Sequence, residues 1–381
     1  MNKIPNGWKE KKLKYIAEIT SSKRIYEYEY VDSGIPFYRG KEITALKNNQ
    51  KIENFIYISE KRYNELKEKY GVPSKYDILI TAVGTVGNAY TIEDDKPFYF
   101  KDGNLLWLKN IKEYPKFVEY LFECNKNILL NNFFGSVQHA LTISRLENLT
   151  FYFPPLDEQK RIASALSKID AYLENTIKLI EEKERFKRGI AKKLLTCKEG
   201  ENIPEARFKG FEDEWEIVKL GDILSYEQPK DYIVKSEEYN NKYKYPVLTA
   251  GKTFILGYTN EEFGIYNKLP VIIFDDFTTD AQYVDFPFKV KSSAIKILKS
   301  KYYNTKLIYE LIKNIKFNAR THKRYYISEY QYLKIKIPKS IKEQEDISGY
   351  LSLLDEEIDN LKKQKELIKE MKRGAMQKLL S

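Results

Sequence analysis

One long stretch of this chain occurs twice: residues 157–196, DEQKRIASALSKIDAYLENTIKLIEEKERFKRGIAKKLLT, and residues 342–381, KEQEDISGYLSLLDEEIDNLKKQKELIKEMKRGAMQKLLS. The two copies align without a gap, so that Lys187-Arg188-Gly189 returns as Lys372-Arg373-Gly374. The period is near 185 residues, whereas the period of a solenoid repeat is roughly 20–50 residues. The repeated unit is therefore a domain followed by a helix.

The regions that precede the two helices also resemble each other at both of their ends. Each opens on a Trp followed by a Lys-Leu pair, at Trp8 and at Trp215, and each closes on an Ile-Ser pair, at Ile143 and at Ile327. The order along the chain is thus lobe, helix, lobe, helix. We predict a first lobe at 1–155, a first long helix at 156–197, a linker at 198–212, a second lobe at 213–340 and a second long helix at 341–381.

The composition indicates a folded basic protein. A length of 381 residues suits two or three domains. The net charge of +10 has the sign expected for a partner that carries phosphates. The 31 Tyr residues suit half-buried strands and a hydrated binding surface, because the Tyr ring is apolar and its hydroxyl is polar. The compositional bias of an AT-rich genome is the alternative explanation.

The cysteines and the hydropathy pattern exclude other classes. Cys124 and Cys197 stand far apart in unlike contexts, which fits neither a disulfide framework nor a zinc site. The chain shows neither a signal peptide nor an apolar run of about 20 residues. We therefore expect a soluble, cytoplasmic protein.

The repeated helices carry an apolar stripe at spacings of three and four, and the second copy follows a heptad seam interrupted by Lys365. About 40 residues of helix would be about 60 Å long, too long for one lobe to bury the stripe, so the helices should pack on each other. The two ends of a domain often lie close together, so the pair should be antiparallel and the molecule a dumbbell. The alternative is that each helix binds a partner chain separately. The predicted packing residues of this helical spacer are Ile162, Leu166, Ile169, Leu173, Ile180, Ile347, Leu351, Leu354, Ile358, Leu361 and Ile368.

The lobes show short runs rich in Ile, Val, Tyr and Phe that are broken by Gly, Asn, Asp and Pro, which is typical of strands. We predict an α+β fold: two mixed α/β domains separated by two long antiparallel helices, with an internal repeat and pseudo-two-fold symmetry. The predicted strands are Asp77–Val83, Phe98–Phe100, Asn104–Leu108, Tyr245–Leu248, Pro270–Phe274 and Ala294–Leu298, and the predicted lobe helices are Ser59–Tyr70, Lys116–Asn125 and Lys306–Ile315.

The lobes offer little for catalysis. Two His residues leave little room for His-based chemistry. The segment 84–87, Gly-Thr-Val-Gly, lacks the spacing and the Lys of a phosphate loop, which favours a turn between strands. Asp275, Asp276 and Asp280 follow an apolar strand, where hard cations bind carboxylates, but no Glu-x-Lys follows at strand spacing. A structural turn is the better interpretation, and a metal nuclease site is the alternative.

Basic and amide side chains beside aromatics occur near the end of both lobes, around His139 and around His322. Arg, Gln and His side chains read base edges, whereas Lys and Tyr commonly hold phosphates. A solvated basic turn is the alternative for any one residue, but the recurrence favours nucleic acid. The candidate DNA contacts are Arg39, Lys41, Gln138, His139, Arg145, Lys252, Thr278, Arg320, His322, Lys323 and Arg324.

Three further segments carry a resemblance to a known family: 153–162 at the entry of the first helix, 204–211 before Trp215, and 274–278 in the second lobe. With the repeated Lys-Arg-Gly and Lys-Leu-Leu, they make the chain similar to the specificity (S) subunits of type I restriction-modification systems. The resemblance covers essentially the whole chain. It departs at the second helix entry, where Pro338 is followed by Lys339 and the family commonly has Pro-Pro.

This resemblance implies two target-recognition domains, each reading one half of a split, asymmetric site on double-stranded DNA. The paired helices would set the spacer between the half-sites and dock two methyltransferase (M) subunits, and motor–nuclease (R) subunits would join for restriction. The chain itself would be non-catalytic and bind no cofactor or metal, because S-adenosylmethionine, ATP and Mg²⁺ serve the partner subunits. Two rival functions remain: a stand-alone nuclease using the Asp275 cluster, and a coiled-coil adaptor that binds only proteins.

Overall fold

The computed structural model describes residues 7–130, 140–249, 253–317, 319 and 323–380. The chain divides into two compact units, residues 1–178 with 363–381 and residues 179–362. The strands are β1 (Lys9–Lys12), β2 (Glu18–Thr20), β3 (Tyr30–Val31), β4 (Ile35–Tyr38), β5 (Ile56–Ile58), β6 (Ile78–Thr81), β7 (Ala89–Thr91), β8 (Tyr99–Phe100), β9 (Leu105–Lys109), β10 (Thr150–Phe153), β11 (Glu216–Lys219), β12 (Leu224–Glu227), β13 (Tyr245–Leu248), β14 (Ile255–Thr259), β15 (Val271–Asp275), β16 (Ala281–Val284), β17 (Lys289–Val290), β18 (Ile295–Ser300) and β19 (Lys334–Ile337). The α-helices are α1 (Leu13–Ile16), α2 (Gly40–Lys47), α3 (Glu60–Tyr70), α4 (Pro115–Cys124), α5 (Lys126–Leu130), α6 (Ile143–Asn148), α7 (Leu156–Leu195), α8 (Leu220–Ile223), α9 (Thr305–Lys313) and α10 (Ile341–Leu379).

The first unit is built on an antiparallel sheet with the order β2-β9-β6-β7. A second sheet has the order β3-β5-β4-β8, in which β4 and β8 are parallel, and β1 pairs with β10. Strand β6 is buried on both faces. Because successive side chains of a strand point to opposite faces, Ile78 and Ile80 join the core around α4 whereas Leu79 joins the core around α2.

The second unit repeats this plan. Its main antiparallel sheet has the order β12-β18-β15-β16, a smaller sheet has the order β14-β13-β17 with β13 and β17 parallel, and β11 pairs with β19. Strand β15 is also buried on both faces: Ile272 and Phe274 join the core around α9, and Val271 and Ile273 join a separate core. The structural repeat therefore matches strand for strand around β6 and β15, and the α+β prediction is confirmed.

Each unit holds the start of one long helix beside the end of the other. In the first unit, Ile162 and Leu166 near the start of α7 share a core with Met376 and Leu380 at the end of α10. In the second unit, Leu194 and Leu195 at the end of α7 share a core with Ile347 and Leu351 at the start of α10. The helix segments in each unit thus run in opposite directions, which confirms the predicted antiparallel pairing. Of the predicted packing residues, those half-buried are Ile169, Leu173 and Leu361, and those buried are Ile162, Leu166, Ile180, Ile347, Leu351, Leu354, Ile358 and Ile368.

The Gln of the repeated Glu-Gln pair, Gln159 or Gln344, bonds to the backbone at the start of each long helix. Gln159 accepts the N–H of Tyr114 at 3.0 Å and donates to the carbonyl of Pro154 at 2.9 Å. Gln344 makes the same two kinds of bond, with the N–H of Asn304 at 2.7 Å and the carbonyl of Pro338 at 2.8 Å. A buried amide that satisfies backbone groups of two segments fixes where each helix leaves its lobe.

An ion cluster joins the two helices to the lobe in each unit. In the first, the Lys372 ammonium lies 2.8 Å from Asp170 and 2.7 Å from Glu123 of α4. In the second, Lys187 lies 2.5 Å from Asp355 and 4.0 Å from Glu310 of α9. This explains why the Lys-Arg-Gly tripeptide occurs twice: its Lys is the cation of each cluster.

We expect Glu123→Gln to reduce the acid sensitivity of the first unit. Burial alone would raise the pKa of Glu123, but the charges of Lys47 and Lys372 outweigh it and hold the pKa below its ordinary 4.5. Such a carboxylate stabilises the fold above its unfolded pKa, and this contribution is lost as the pH falls through the folded pKa. Urea unfolding from about pH 7 down to about pH 3 should therefore show a smaller loss of stability for the variant. An equal loss in both proteins would contradict this account.

Candidate nucleic-acid interface

Two equivalent loops follow the central buried strands: the β6–β7 loop (82–88) and the β15–β16 loop (276–280). A later segment returns to the first residue of each loop. Leu141 donates its N–H to the carbonyl of Ala82 at 2.9 Å, and Tyr325 donates to the carbonyl of Asp276 at 2.8 Å. Each lobe thus joins the same two segments at the end of its central strand.

In the first lobe, the β6–β7 loop lies against α2. The hydroxyl oxygens of Thr44 and Thr85 are 3.2 Å apart, and the Asn88 amide donates to Thr44 at 3.1 Å. Lys126 of α5 donates to the side-chain oxygen Oδ1 of Asn88 at 2.6 Å. Gly84 and Gly87 have φ of +78° and +83°, a conformation that suits glycine. The loop is a turn between strands, and it places the Thr85 hydroxyl beside Thr44 of α2 and the Asn88 side chain beside the Lys126 ammonium of α5.

Arg39 and Lys41, at the start of α2, stand beside this loop with different degrees of freedom. The Arg39 guanidinium donates to the buried Glu42 carboxylate at 2.7 and 3.2 Å. Burial alone would raise the pKa of Glu42, but Arg39 holds it below its ordinary value, and the bond to Glu42 raises the pKa of Arg39. Arg39 is therefore held in place, whereas Lys41, whose ammonium lies 3.6 Å from the same carboxylate, keeps a side chain that is 64% exposed.

In the second lobe, the β15–β16 loop is braced from within. One Asp275 carboxylate oxygen accepts the N–H groups of Phe277 at 2.8 Å and Thr278 at 3.2 Å. The Thr278 hydroxyl donates to Asp280 at 3.0 Å. The Arg324 guanidinium lies over the Phe277 ring, 5.8 Å from its centroid. The fold therefore brings together two predicted contacts, Thr278 and Arg324, with an aromatic ring between the two segments.

The carboxylates of the predicted metal alternative have structural partners. Asp275 braces the loop, and Asp276 is buried, 3.3 Å from the Lys296 ammonium, and accepts the N–H of Tyr326 at 2.9 Å. Within the described ranges, no group of three or more His, Cys, Asp or Glu side chains is placed to hold a metal ion. The hydrogen bonds give Asp275 and Asp276 a role in shaping the turn.

The remaining predicted contacts are placed as follows. Arg145 reaches the carbonyl of Ile128 in α5 at 3.5 Å, and exposed Lys323 pairs with Glu329, whose hydrogen bond raises the pKa of Lys323. Gln138, His139, Lys252, Arg320 and His322 lie outside the described residues. Sequence reasoning missed Thr44, Thr85, Asn88 and Lys126, although Asn88 directly follows the glycine pair that marked the turn.

Comparison with known proteins identifies the family. A sequence model described as the type I restriction modification DNA specificity domain matches residues 5–182 and again 212–370, so it covers most of the chain and both repeats. The chain belongs to this family. The two matched segments each contain one lobe and most of one long helix, as the internal repeat requires.

Individual relatives agree with this membership. The type I restriction enzyme EcoR124I/EcoR124II specificity subunit of Escherichia coli is 51% identical over 141 residues, which are 35% of this chain and 34% of that protein. The chain thus spans about a third of that relative. The putative type I restriction enzyme MjaX specificity subunit of Methanocaldococcus jannaschii is 26% identical over 100% of this chain and 94% of that protein. Among solved structures, the type I restriction-modification S subunit from M. genitalium has a TM-score of 0.67 at 19% identity and covers 100% of this chain and 97% of that one, which supports the fold.

Across the part of the chain that the structure describes, no helix combines the length and the apolar character needed to span a membrane.

Proposed function

We propose that this chain is the sequence-specific DNA-recognition subunit of a type I restriction-modification complex, in which each lobe reads one half of a bipartite, asymmetric site. The observation that carries this proposal is the repeated loop site with different side chains. The same two segments meet beyond β6 and beyond β15, but one site presents Thr85, Asn88 and Lys126 and the other presents Phe277 and Arg324. Base edges are discriminated by side-chain donors, acceptors and apolar groups, so different sets should read different half-sites.

The long helices are proposed to set the spacer and to dock two M subunits. In each unit they are anchored to the lobe and to each other through the ion clusters described above. Several large apolar side chains on them remain exposed, including Leu353 at 64%, Leu367 at 65% and Met371 at 50%. Leu367 and Met371 lie four residues apart and so share one face of α10, and contiguous exposed apolar side chains mark a protein interface. We propose that R subunits join the same complex for restriction in the cytoplasm.

Catalysis is assigned to the partners. The carboxylates that a nuclease would need are engaged in shaping the β15–β16 loop, as described above. We propose that this chain binds no cofactor and no metal, and that S-adenosylmethionine, ATP and Mg²⁺ are used by the M and R subunits. Its own residues position DNA and the partner chains.

Methylation mapping tests the proposed function. The chain is expressed with its M partner in a host without other modification systems, and the modified motif is read by long-read sequencing. We expect one bipartite motif, and replacing residues 20–140 by the same lobe of a relative should change one half-site and preserve the other. Simultaneous change of both halves would refute independent reading. Cleavage of plasmid by the pure chain with Mg²⁺ would favour the stand-alone nuclease. If the complex with M subunits binds no DNA at any salt concentration, the result would favour the protein-binding adaptor.

Lys41→Ala should weaken DNA binding by a similar factor on every sequence, because an exposed lysine beside the loop is suited to a phosphate. Loss of one phosphate contact should reduce the slope of log affinity against log salt by about 1. The matched control is Lys61→Ala, an exposed lysine on α3. Fluorescence anisotropy of the complex on cognate and altered DNA measures both effects. A change of preference between sequences would instead make Lys41 a base-reading residue.

A further inference from the structure

A pair of opposite charges lies buried beneath the β15–β16 loop. The side chains of Asp276 and Lys296 are 1% and 2% exposed, and their charged groups are 3.3 Å apart. The other Asp276 carboxylate oxygen accepts the N–H of Tyr326 at 2.9 Å. The Lys296 ammonium lies 4.8 Å from the centroid of the Tyr226 ring. Burial of two charges is costly, and the ion pair, the bond from Tyr326 and the Tyr226 ring offset it in part. Among the described residues, the Asp276 oxygen that faces Lys296 accepts no hydrogen bond.

The first lobe shows that the fold does not require these charges. Phe274 pairs with Lys296 across β15 and β18, as Ile80 pairs with Leu106 across β6 and β9. The backbone bonds from Tyr325 and from Leu141 place Asp276 opposite Ala82 in the repeat. Lobe one therefore fills the same place with Ala82 and Leu106, both buried and apolar. Of the two equivalent positions, only the one in lobe two holds a charged pair.

The charges act at the junction of the two segments that carry the candidate contacts. Through its carbonyl and its carboxylate, Asp276 holds Tyr325 and Tyr326, the residues directly after Arg324. Asp276 also begins the loop that presents Phe277 and Thr278. An apolar pair would fill the space without fixing a direction, whereas an ion pair whose carboxylate also accepts the N–H of Tyr326 allows few orientations.

We propose that Asp276 and Lys296 are positioning residues that fix the β15–β16 loop against segment 323–326, and so determine how sharply the second lobe discriminates its half-site. This inference rests on the proposed function. The pair itself stays beneath the surface and touches no DNA. Its effect is to hold Thr278 and Arg324 at one mutual spacing, because a recognition site tolerates little displacement of its side chains.

The test replaces the pair by the residues of lobe one, as the double variant D276A/K296L. We expect cooperative unfolding to be retained, the first half-site to be read as before, and the methylation ratio between cognate and single-base-altered second half-sites to fall about tenfold, the equivalent of one base contact. Amide exchange at Phe277, Thr278 and Tyr326 should accelerate. Lys296→Arg, which keeps the charge, should retain most of the discrimination.

A second neutral variant, D276N/K296Q, keeps the shape and the acceptor for Tyr326 but removes both charges, and it should also lose discrimination. Either neutral variant that folds and discriminates as sharply as the wild type overturns the proposal. If both fail to fold while Lys296→Arg folds, the pair serves stability and the proposal is also overturned. Methylation by the wild-type complex is mapped before any variant is compared. If the wild-type complex modifies no bipartite site, the proposed function itself is refuted.

Discussion

Matched four-residue insertions after Asn175 and after Asn360 should leave both half-sites unchanged and lengthen the spacer between them by one or two base pairs. Four residues add about one helical turn, or about 6 Å, and the DNA axis rises about 3.4 Å per base pair. Both asparagines are exposed within α7 and α10, so neither insertion point replaces a buried side chain, although the insertion in α7 directly precedes the buried Thr176. Methylation mapping of the double variant with its M partner measures the spacer directly.

An insertion after Asn175 alone is the control, and it should abolish modification. The Lys372 cluster and the Lys187 cluster each hold α7 and α10 at one axial offset within their own unit. A helix lengthened by itself cannot satisfy both offsets, and one lysine would lose its carboxylate. An active double variant whose spacer has not changed would mean that the helices dock partners without measuring distance.

Glu343→Gln should destabilise the second unit by about 3–5 kcal/mol, because it breaks a buried ion pair and leaves a cation without its partner. The Glu343 side chain is 1% exposed and accepts two bonds from Arg207, at 2.7 and 2.8 Å, and one from Trp215 at 3.2 Å. Gln preserves the shape and an acceptor for the indole N–H, so the loss reports mainly the ion pair. Urea unfolding followed by tryptophan fluorescence measures it.

The internal repeat supplies a matched control for this variant. Glu158 occupies the same place in the first unit and accepts the indole N–H of Trp8 at 3.3 Å, and no ion pair to it occurs among the described residues. Glu158→Gln should therefore cost no more than about 1 kcal/mol, the contribution of an ordinary hydrogen bond. Similar losses in the two variants would show that the indole contact, and not Arg207, is what stabilises this site.

Most of the architecture could be predicted from the sequence because its signals are local or repeated. The β-rich runs placed the central strands within one or two residues: the predicted Asp77–Val83 and Pro270–Phe274 correspond to Ile78–Thr81 and Val271–Asp275. Side chains that alternate between two buried faces produce a continuous apolar run that is visible without a structure. The first prediction runs too far because Ala82 and Val83 belong to the β6–β7 loop, and the second stops one residue short because the polar Asp275 still pairs with Ile295.

The candidate interface was only partly predictable. Arg39 and Lys41 were named as candidates, but only the folded lobe shows that both pair with the buried Glu42 and that Lys41 is the more exposed of the two. Thr44, Thr85 and Asn88 lie on two segments about 40 residues apart in the chain, and no local pattern connects them. The pairing of Arg324 with Phe277 has the same origin, since it follows from the return of segment 323–326 to the end of β15.

The sequence by itself determined the repeat, the α+β class and the two long helices, because helical periodicity, strand-like runs and identical tripeptides are properties of the chain alone. The opposite directions of the helices followed from the order lobe, helix, lobe, helix, because the two ends of a domain often lie close together. Only the tertiary structure decided which side chains meet beyond β6 and β15, and that one of two equivalent buried places holds Asp276 and Lys296 where the other holds Ala82 and Leu106. Such contacts depend on strand register and on loop closure. Strand register and loop closure are both fixed by the packing of segments that are distant in the chain, so they cannot be predicted from the residues next to each contact.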